Sequence, residues 1–490
     1  MYQYNLKAGK ENKGGFLRGE ERLGTLRNST GSNTHYPPRD LVFYKENIVG
    51  DVEDTWGEYV PTTYTGDHPV PLIVVNHAGG SNAEVQFDET SWAIIAEQEG
   101  LIAVYPNAIV PGVWLADPNA EKGRNPIMSL ADNPDGRVDP ETHDIRFVCA
   151  LIEKMKEKYN IDAGRVYMQG MSMGDIMTMQ FSRIHGDLLA GACNAAGPSP
   201  EQVVLTEDGE VKGFKCPVPV YQSRGELDNT AINAGYSGNL TRWDVNSRNR
   251  QFWIKVNGCN PIPELAIRDF CNYAFYRGGK ADLYYRDVKY RAHGQMLDDA
   301  ENAWYQLFSG TRRLPDGTIE RTAAIEENVA DHNAAALCVG ASRVMINNKV
   351  VELSAPVEEL PLNHMTRTKE GKMEFYAVRN LMYVPLDFLT KYYGVEVALD
   401  EDGHRAVLTL PDGRVCQIAD NSIACVVDNR FISMSRQTAW LNDQLYVPVQ
   451  WFAANLFGQY ITGVDGSLYL SDHFGDMTLD MAQIIREILK

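Results

Sequence analysis

Cysteine is scarce in this chain: eight residues in 490, too few for a disulfide scaffold. No Cys-x-x-Cys pair and no His-Glu-x-x-His stretch occurs, so structural zinc and zinc-protease chemistry have no motif behind them. Basic charge is also short. Lys and Arg number 46 against 65 Asp and Glu, a net charge of −19. A field of that sign repels a phosphate backbone, so no nucleic-acid partner is expected. Long apolar runs are missing too. Those present, such as residues 71–75, are strand-sized and far below the ~20 residues needed to span a bilayer. The first residues, Met1-Tyr-Gln-Tyr-Asn, lack the basic-then-apolar pattern of an export signal. Either the protein stays inside the cell or such a signal has been removed.

What is present is the composition of a globular protein, 44% hydrophobic and 23% charged, which excludes wholesale disorder. At ~150 residues per domain the length suits two to four domains. Residues 1–40 are polar and read as an irregular lead-in. Across 41–310, strand-like runs at 71–76, 101–105, 165–169, 189–195, 218–223 and 283–290 alternate with helical stretches. Residues 144–159 form one such helix, with Ile145, Val148, Leu151, Ile152, Met155 and Tyr159 on a single face. The runs Leu72-Ile-Val-Val and Leu101-Ile-Ala-Val are apolar without alternation, as expected of strands covered on both sides. The pattern predicts an α/β domain built on a mostly parallel sheet.

Residues 311–340 read as a polar linker containing the turn signal Pro315-Asp-Gly. Residues 341–474 hold an internal repeat. Met345-Ile-Asn-Asn-Lys-Val-Val-Glu-Leu matches Val426-Val-Asp-Asn-Arg-Phe-Ile-Ser-Met, and Met382-Tyr-Val-Pro-Leu matches Leu445-Tyr-Val-Pro-Val. Two such halves predict a small α+β module with one shared core. In 475–490, Leu479, Met481, Ile484, Ile485, Ile488 and Leu489 form one stripe, which predicts a docked amphipathic helix.

The strongest chemical signal is Gly170-Met171-Ser172-Met173-Gly174, set between a strand-like run and a helical one. A serine on a tight strand-to-helix turn is held out from the sheet, and flanking glycines relieve the crowding. The bland reading is a glycine-rich turn whose serine caps a helix. A serine nucleophile needs a base, and the base needs an orienting carboxylate. In chain order these should follow as acid, then histidine, on loops after strands. Asp228 and His293 occupy such places; Glu226 is the nearest competitor of Asp228. His185 lies within the following helix, and His332, His364, His404 and His473 lie in or beyond the linker. The oxyanion donors expected are the backbone N–H groups of Met173 and of Ala78, with Gly79 the alternative to Ala78. His77 is expected to hold that loop rather than act as a base. Long loops at 106–141, carrying Trp114, and at 229–250, carrying Tyr236 and Trp243, would shape the substrate site. The tryptophans either form an apolar wall or pack beneath the loops. Cys416 and Cys425 stand equidistant from an Asp420-Asn421 turn, and Cys259 and Cys271 flank a proline-containing loop. Each pair suits a disulfide or two free thiols.

Residues 55–310 resemble the α/β-hydrolase esterases grouped as poly(3-hydroxybutyrate) depolymerase-like and feruloyl esterases. The likeness is carried by Trp56-Gly-Glu-Tyr-Val-Pro, Pro71-Leu-Ile-Val-Val-Asn-His-Ala-Gly-Gly-Ser, Ile161-Asp-Ala-Gly-Arg-Val-Tyr-Met-Gln-Gly-Met-Ser-Met-Gly, Gly225-Glu-Leu-Asp and His293-Gly-Gln-Met. It implies a cofactor-free and metal-free secreted or cell-surface serine esterase. The substrates implied are feruloyl or acetyl esters of plant polysaccharide or polyhydroxyalkanoate-type polyesters. Ser172, Asp228 and His293 would be the nucleophile, acid and base. Residues 341–474 are similar to the copper amine oxidase N-terminal-like domain through Tyr383-Val-Pro385 and Tyr446-Val-Pro448. That resemblance implies an accessory module able to sit on a cell wall or polysaccharide surface. A peptidase on the same fold, or a non-catalytic surface-binding protein with a degenerate hydrolase domain, are the alternatives.

Overall fold

The computed structural model describes residues 37–115, 142–197, 213–229, 240–324 and 329–490. The chain divides into two units, Met1–Pro263 with Tyr273–Val329, and Glu264–Asn272 with Ala330–Lys490.

The first unit is built on strands β1 (Val42–Glu46), β2 (Asp54–Tyr59), β3 (Val70–Asn76), β4 (Ile102–Pro106), β5 (Ile161–Met171), β6 (Gly191–Ala195), β7 (Val220–Gly225) and β8 (Leu283–Val288). They lie in the order β1-β2-β4-β3-β5-β6-β7-β8. From β4 to β8 every pairing is parallel; β2 runs antiparallel to β4, and β1 antiparallel to β2. This is the α/β-hydrolase fold. β3 and β4 are buried at every position, which is why both read as unbroken apolar runs. Around them lie helices α1 (Ala83–Glu89), α2 (Trp92–Glu99), α3 (His143–Lys158), α4 (Met173–His185), α5 (Arg242–Asn257) and α6 (Asp298–Gln306). Helix α3 starts where Thr142 accepts a hydrogen bond from the Ile145 amide, and it buries Ile145, Val148, Leu151, Ile152 and Met155. Each such side chain contributes ~1.5–3 kcal/mol through the water it sheds.

Three stretches differ from the sequence reading. β1 is an edge strand exposed at most positions, so no apolar alternation announces it. The expected loop at 229–250 contains the start of α5. Thr241 and Asp244 exchange hydrogen bonds there in a capping box, with Asp in the place usually held by Glu or Gln. The expected linker at 311–340 contains a hairpin, Thr311–Arg313 with Ile319–Arg321, and a strand, Ala335–Cys338, that belongs to a sheet of the second unit.

In the second unit the repeat has a structural counterpart. Each half opens with a hairpin, Arg343–Ile346 with Lys349–Glu352 and Ala424–Val427 with Arg430–Ser433. Both turn on two residues of positive φ: Asn347 and Asn348 at 50° and 62°, Asp428 and Asn429 at 48° and 62°. Only that mirror-image turn matches the strand twist, and Asn and Asp tolerate it best among residues with a side chain. The two Tyr-Val-Pro motifs pair with each other: Tyr383 faces Pro448, Val384 faces Val447 and Pro385 faces Tyr446. A two-fold relation therefore passes through the Val384–Val447 pair. Both valines join Phe388 and Phe452 in one buried core. Helix α7 (Val449–Leu456) follows the second motif. The last helix, α8 (Leu479–Leu489), is capped by Thr478 and buries Met481, Ala482, Ile484, Ile485 and Leu489.

Cys416 stands opposite Val427 in the ladder, two residues beyond Cys425, because the turn is centred one residue later than the spacing suggested. The two buried sulfurs are nevertheless 3.0 Å apart, as thiols. No disulfide joins Cys259 to Cys271; the Cys259 thiol donates to the Ala281 carbonyl. Among the described residues no helix is long and apolar enough to cross a membrane.

Candidate active site

Ser172 stands between the end of β5 and the start of α4, with φ 56° and ψ −112°. Such a backbone is costly for any residue with a Cβ and persists only where its surroundings hold it. Here the two motif glycines do that. A Cβ on Gly170 would fall 1.8 Å from the Gly174 carbonyl oxygen, and one on Gly174 would fall 2.4 Å from the Asn76 carbonyl oxygen. Only glycine lets the helix start pack so closely on β5 and β3. The Ser172 amide donates to the Ala195 carbonyl at 3.0 Å.

His293 reaches this turn from the loop after β8. Its Nε2 lies 2.8 Å from Ser172 Oγ, and its Nδ1 lies 2.9 Å from Asp228 Oδ2. Asp228, from the loop after β7, is almost wholly buried, while the imidazole is partly open to solvent. Three side chains far apart in sequence thus form one hydrogen-bonded line. Glu226, the competing carboxylate, is committed elsewhere: it takes Lys289 Nζ at 3.0 Å and the Tyr290 amide at 3.3 Å.

Two buried ion-pair systems stand behind the line, and the sequence reading missed both. Asp175, in the first turn of α4, meets Arg224 Nη1 at 3.1 Å and accepts a hydrogen bond from Asn194. Burial pushes its carboxyl up to about 7, against the pull of the Arg224 guanidinium. This pair ties the helix that follows Ser172 to the strand that leads into Asp228. Asp299 takes Arg286 at 2.9 Å, Arg291 at 3.0 Å and the Ser223 hydroxyl at 2.6 Å. Arg291 in turn donates to the Gly294 carbonyl, so the loop carrying His293 is anchored on either side of it.

On the other flank, the loop after β3 lies against Met173. A Cβ on Gly79 would sit 2.8 Å from the Met173 sulfur, so the segments bearing the Met173 and the Ala78 or Gly79 amides face each other. Ala78 is buried and Gly79 partly so. His77 fixes this loop. Its Nε2 accepts the Ala108 amide at 3.1 Å, which assigns the ring proton to Nδ1, and that nitrogen donates to the Ala78 carbonyl at 2.8 Å. Trp114 is fully buried; its indole lies tilted against the His77 ring, centroids 4.7 Å apart, and donates to the His77 carbonyl at 2.7 Å. It therefore packs beneath the loop and offers no open wall. Trp243 is half-buried in the first turn of α5, with the Arg242 guanidinium 4.0 Å from its ring centre. Tyr236 lies outside the described residues.

The anchoring by His77 has a pH signature. Burial pushes its pKa down from 6.5 to about 4. A base whose folded pKa is depressed stabilises the fold fully above its unfolded pKa, and that stability is lost as pH falls through the folded value. Between pH 6.5 and 4 the wild type should lose about 3 kcal/mol more than His77→Gln, whose side chain does not titrate. Chemical unfolding of both proteins at pH 7 and pH 4 measures the difference, and equal losses would remove His77 as the anchor.

In comparison with known proteins, residues 367–462 match the family model of the copper amine oxidase N-terminal domain. The chain is 26% identical over 239 residues to a bifunctional acetylxylan esterase/xylanase of Neocallimastix patriciarum, covering 48% of this chain and 30% of that protein. It is 25% identical over 209 residues to feruloyl esterase B of Piromyces equi, covering 42% of this chain and 35% of that one. The chain thus spans about a third of the length of these curated relatives. Among solved structures, the acetyl xylan esterase from Aspergillus awamori matches with a TM-score of 0.40 and 16% identity, over 55% of this chain and 99% of that one.

Proposed function

We propose that this chain is a serine esterase, secreted or held at the cell surface, that removes acetyl or feruloyl groups from plant polysaccharide. The observation that carries the reading is the line Ser172 Oγ, His293 and Asp228, with steps of 2.8 Å and 2.9 Å. Ser172 attacks the ester carbonyl as His293 Nε2 takes its proton. Asp228 keeps the other ring proton on Nδ1 and stabilises the imidazolium that forms. The developing oxyanion is bound by the Met173 amide and that of Ala78, or of Gly79 in its place, at the N-terminus of α4. His293 then returns its proton to the leaving alcohol, and water resolves the acyl-enzyme by the same route in reverse. No cofactor or metal enters these steps. The repeat unit, residues 341–474, holds the enzyme on a wall or polysaccharide surface.

The test is labelling with a fluorophosphonate probe. The reading expects one label per chain, carried by the peptide containing Ser172, with parallel loss of activity on methyl ferulate or acetylated xylan. An unlabelled chain would point to a degenerate, non-catalytic domain. Turnover of an aminoacyl anilide in preference to esters would make it a peptidase, and turnover of a polyhydroxyalkanoate film in preference to both saccharide esters would move the substrate to polyesters.

A further inference from the structure

The amides of Ala78 and Gly79 each belong to a peptide plane whose other half is a carbonyl. A trans peptide is flat, with its C=O and N–H pointing opposite ways, and no cis bond occurs among the described residues. Whatever holds the carbonyl therefore aims the amide. The Ala78 N–H shares its plane with the His77 carbonyl, which accepts the Trp114 indole N–H at 2.7 Å. The Gly79 N–H shares its plane with the Ala78 carbonyl, which accepts His77 Nδ1–H at 2.8 Å and the Ser81 amide at 3.2 Å. Neither amide has an acceptor of its own among the described residues. The next amide, that of Gly80, is spent on the Gly112 carbonyl at 2.8 Å. Two donors of this loop are thus left open, each aimed by a buried ring behind it.

The Trp114 ring is itself held from further back. Asp144, fully buried in the first turn of α3, accepts the Ile109 amide on Oδ1 at 2.9 Å and the Leu115 amide on Oδ2 at 2.7 Å. Between these two points the segment closes on itself, the Val113 amide donating to the Val110 carbonyl at 2.8 Å. It then meets the oxyanion loop three times: the Ala108 amide on His77 Nε2, the Gly112 carbonyl on the Gly80 amide, and the Trp114 indole on the His77 carbonyl. Burial lifts the Asp144 carboxyl to about 6, against the pull of the two amides. At pH 8 it is ionised and both oxygens accept. One carboxylate thus clamps, at both ends, a segment whose contacts set the direction of the oxyanion amides. A clamp of this kind matters because a donor of fixed direction needs no reorganisation when charge develops.

We infer that Trp114, clamped through its segment by Asp144, is a positioning residue for the oxyanion site: its indole N–H holds the His77 carbonyl so that the Ala78 amide faces the charge that forms on the substrate carbonyl. The inference rests on the esterase reading above. It gives Trp114 a part in stabilising the transition state and none in holding the substrate. The test is Trp114→Phe, which deletes the N–H and keeps an aromatic ring, assayed on 4-nitrophenyl acetate at pH 8. kcat should fall about 30-fold with KM within about twofold, because the donor is misaligned and not removed. A second measurement uses an aryl trifluoromethyl ketone. Ser172 Oγ bonds to the ketone carbon, its proton passes to His293, and the carbonyl oxygen becomes an oxyanion. Its inhibition constant should rise by the factor that kcat/KM falls. Asp144→Asn keeps the side-chain size but can accept only one of the two amides. It should lower kcat about tenfold with the same signature, and it carries the test if Trp114→Phe does not fold. A raised KM with kcat unchanged would make Trp114 a substrate wall, and an unmoved inhibition constant beside a lower kcat would place the loss elsewhere; either overturns the inference. Ser172-dependent turnover with kcat unchanged in both variants overturns it alone, whereas turnover that survives in Ser172→Ala overturns the esterase reading as well.

Discussion

Replacing Ser172 by Ala is expected to lower kcat on 4-nitrophenyl acetate by on the order of 10⁴ to 10⁶. The variant removes the only atom that forms the acyl bond while leaving the oxyanion donors and the binding surface in place, so KM should change little. The loss must be chemical, not structural. The backbone at 172 holds φ 56°, and alanine meets the same steric cost there as serine, since both carry a Cβ. The Ser172 amide still donates to Ala195, and the motif glycines are unchanged. Stability should therefore move by less than about 1 kcal/mol, and thermal unfolding followed beside the kinetics separates the two causes. Turnover undiminished in a folded Ser172→Ala protein would end the esterase proposal, whatever the distances between the three side chains.

How far the site could be read from the sequence follows from what kind of constraint each residue obeys. The turn at Ser172 was legible because its geometry is local: only glycine permits the 1.8 Å and 2.4 Å approaches found at Gly170 and Gly174. Asp228 and His293 were legible because chain order and placement after strands follow from the parallel sheet. Glu226 differs from Asp228 in side-chain partners that sequence does not display, Lys289 and the Tyr290 amide. The pairs Arg224–Asp175 and Arg291–Asp299 were invisible for the same reason. Charge partners 49 residues apart leave no periodicity. Asp175 does follow Gly174 directly, and a carboxylate in the first turn of a helix that must become buried is a signal that could have been used. In the second unit the repeat was legible because its two-residue turns need Asn or Asp at positive φ. The pairing of Cys416 with Val427 was not, since a shift of one residue in the turn centre moves every partner.

Asp228→Asn tests the orienting carboxylate and should cost about 10⁴ in kcat, with a near-native fold because the amide matches the carboxylate in size. The carboxylate accepts only, so it holds the ring proton on Nδ1 and leaves Nε2 free to take the proton of Ser172, 2.8 Å away. The side-chain amide of the variant can donate to Nδ1 instead. The proton then rests on Nε2, and the ring can no longer act as a base toward Oγ. The imidazolium formed during attack also loses its counter-charge in a nearly buried place, where it is worth most. Glu226→Gln is the matched control. Its side chain is engaged by Lys289 and the Tyr290 amide, so its effect falls on the stability of the loop, and kcat should stay within about threefold. The two variants divide the outcomes cleanly. A 10⁴-fold loss in Asp228→Asn beside a small change in Glu226→Gln assigns the orienting role to Asp228. The reverse pattern would mean that the loop after β7 rearranges before the chemistry, because the geometry at rest places Glu226 against Lys289 and Tyr290 instead of His293.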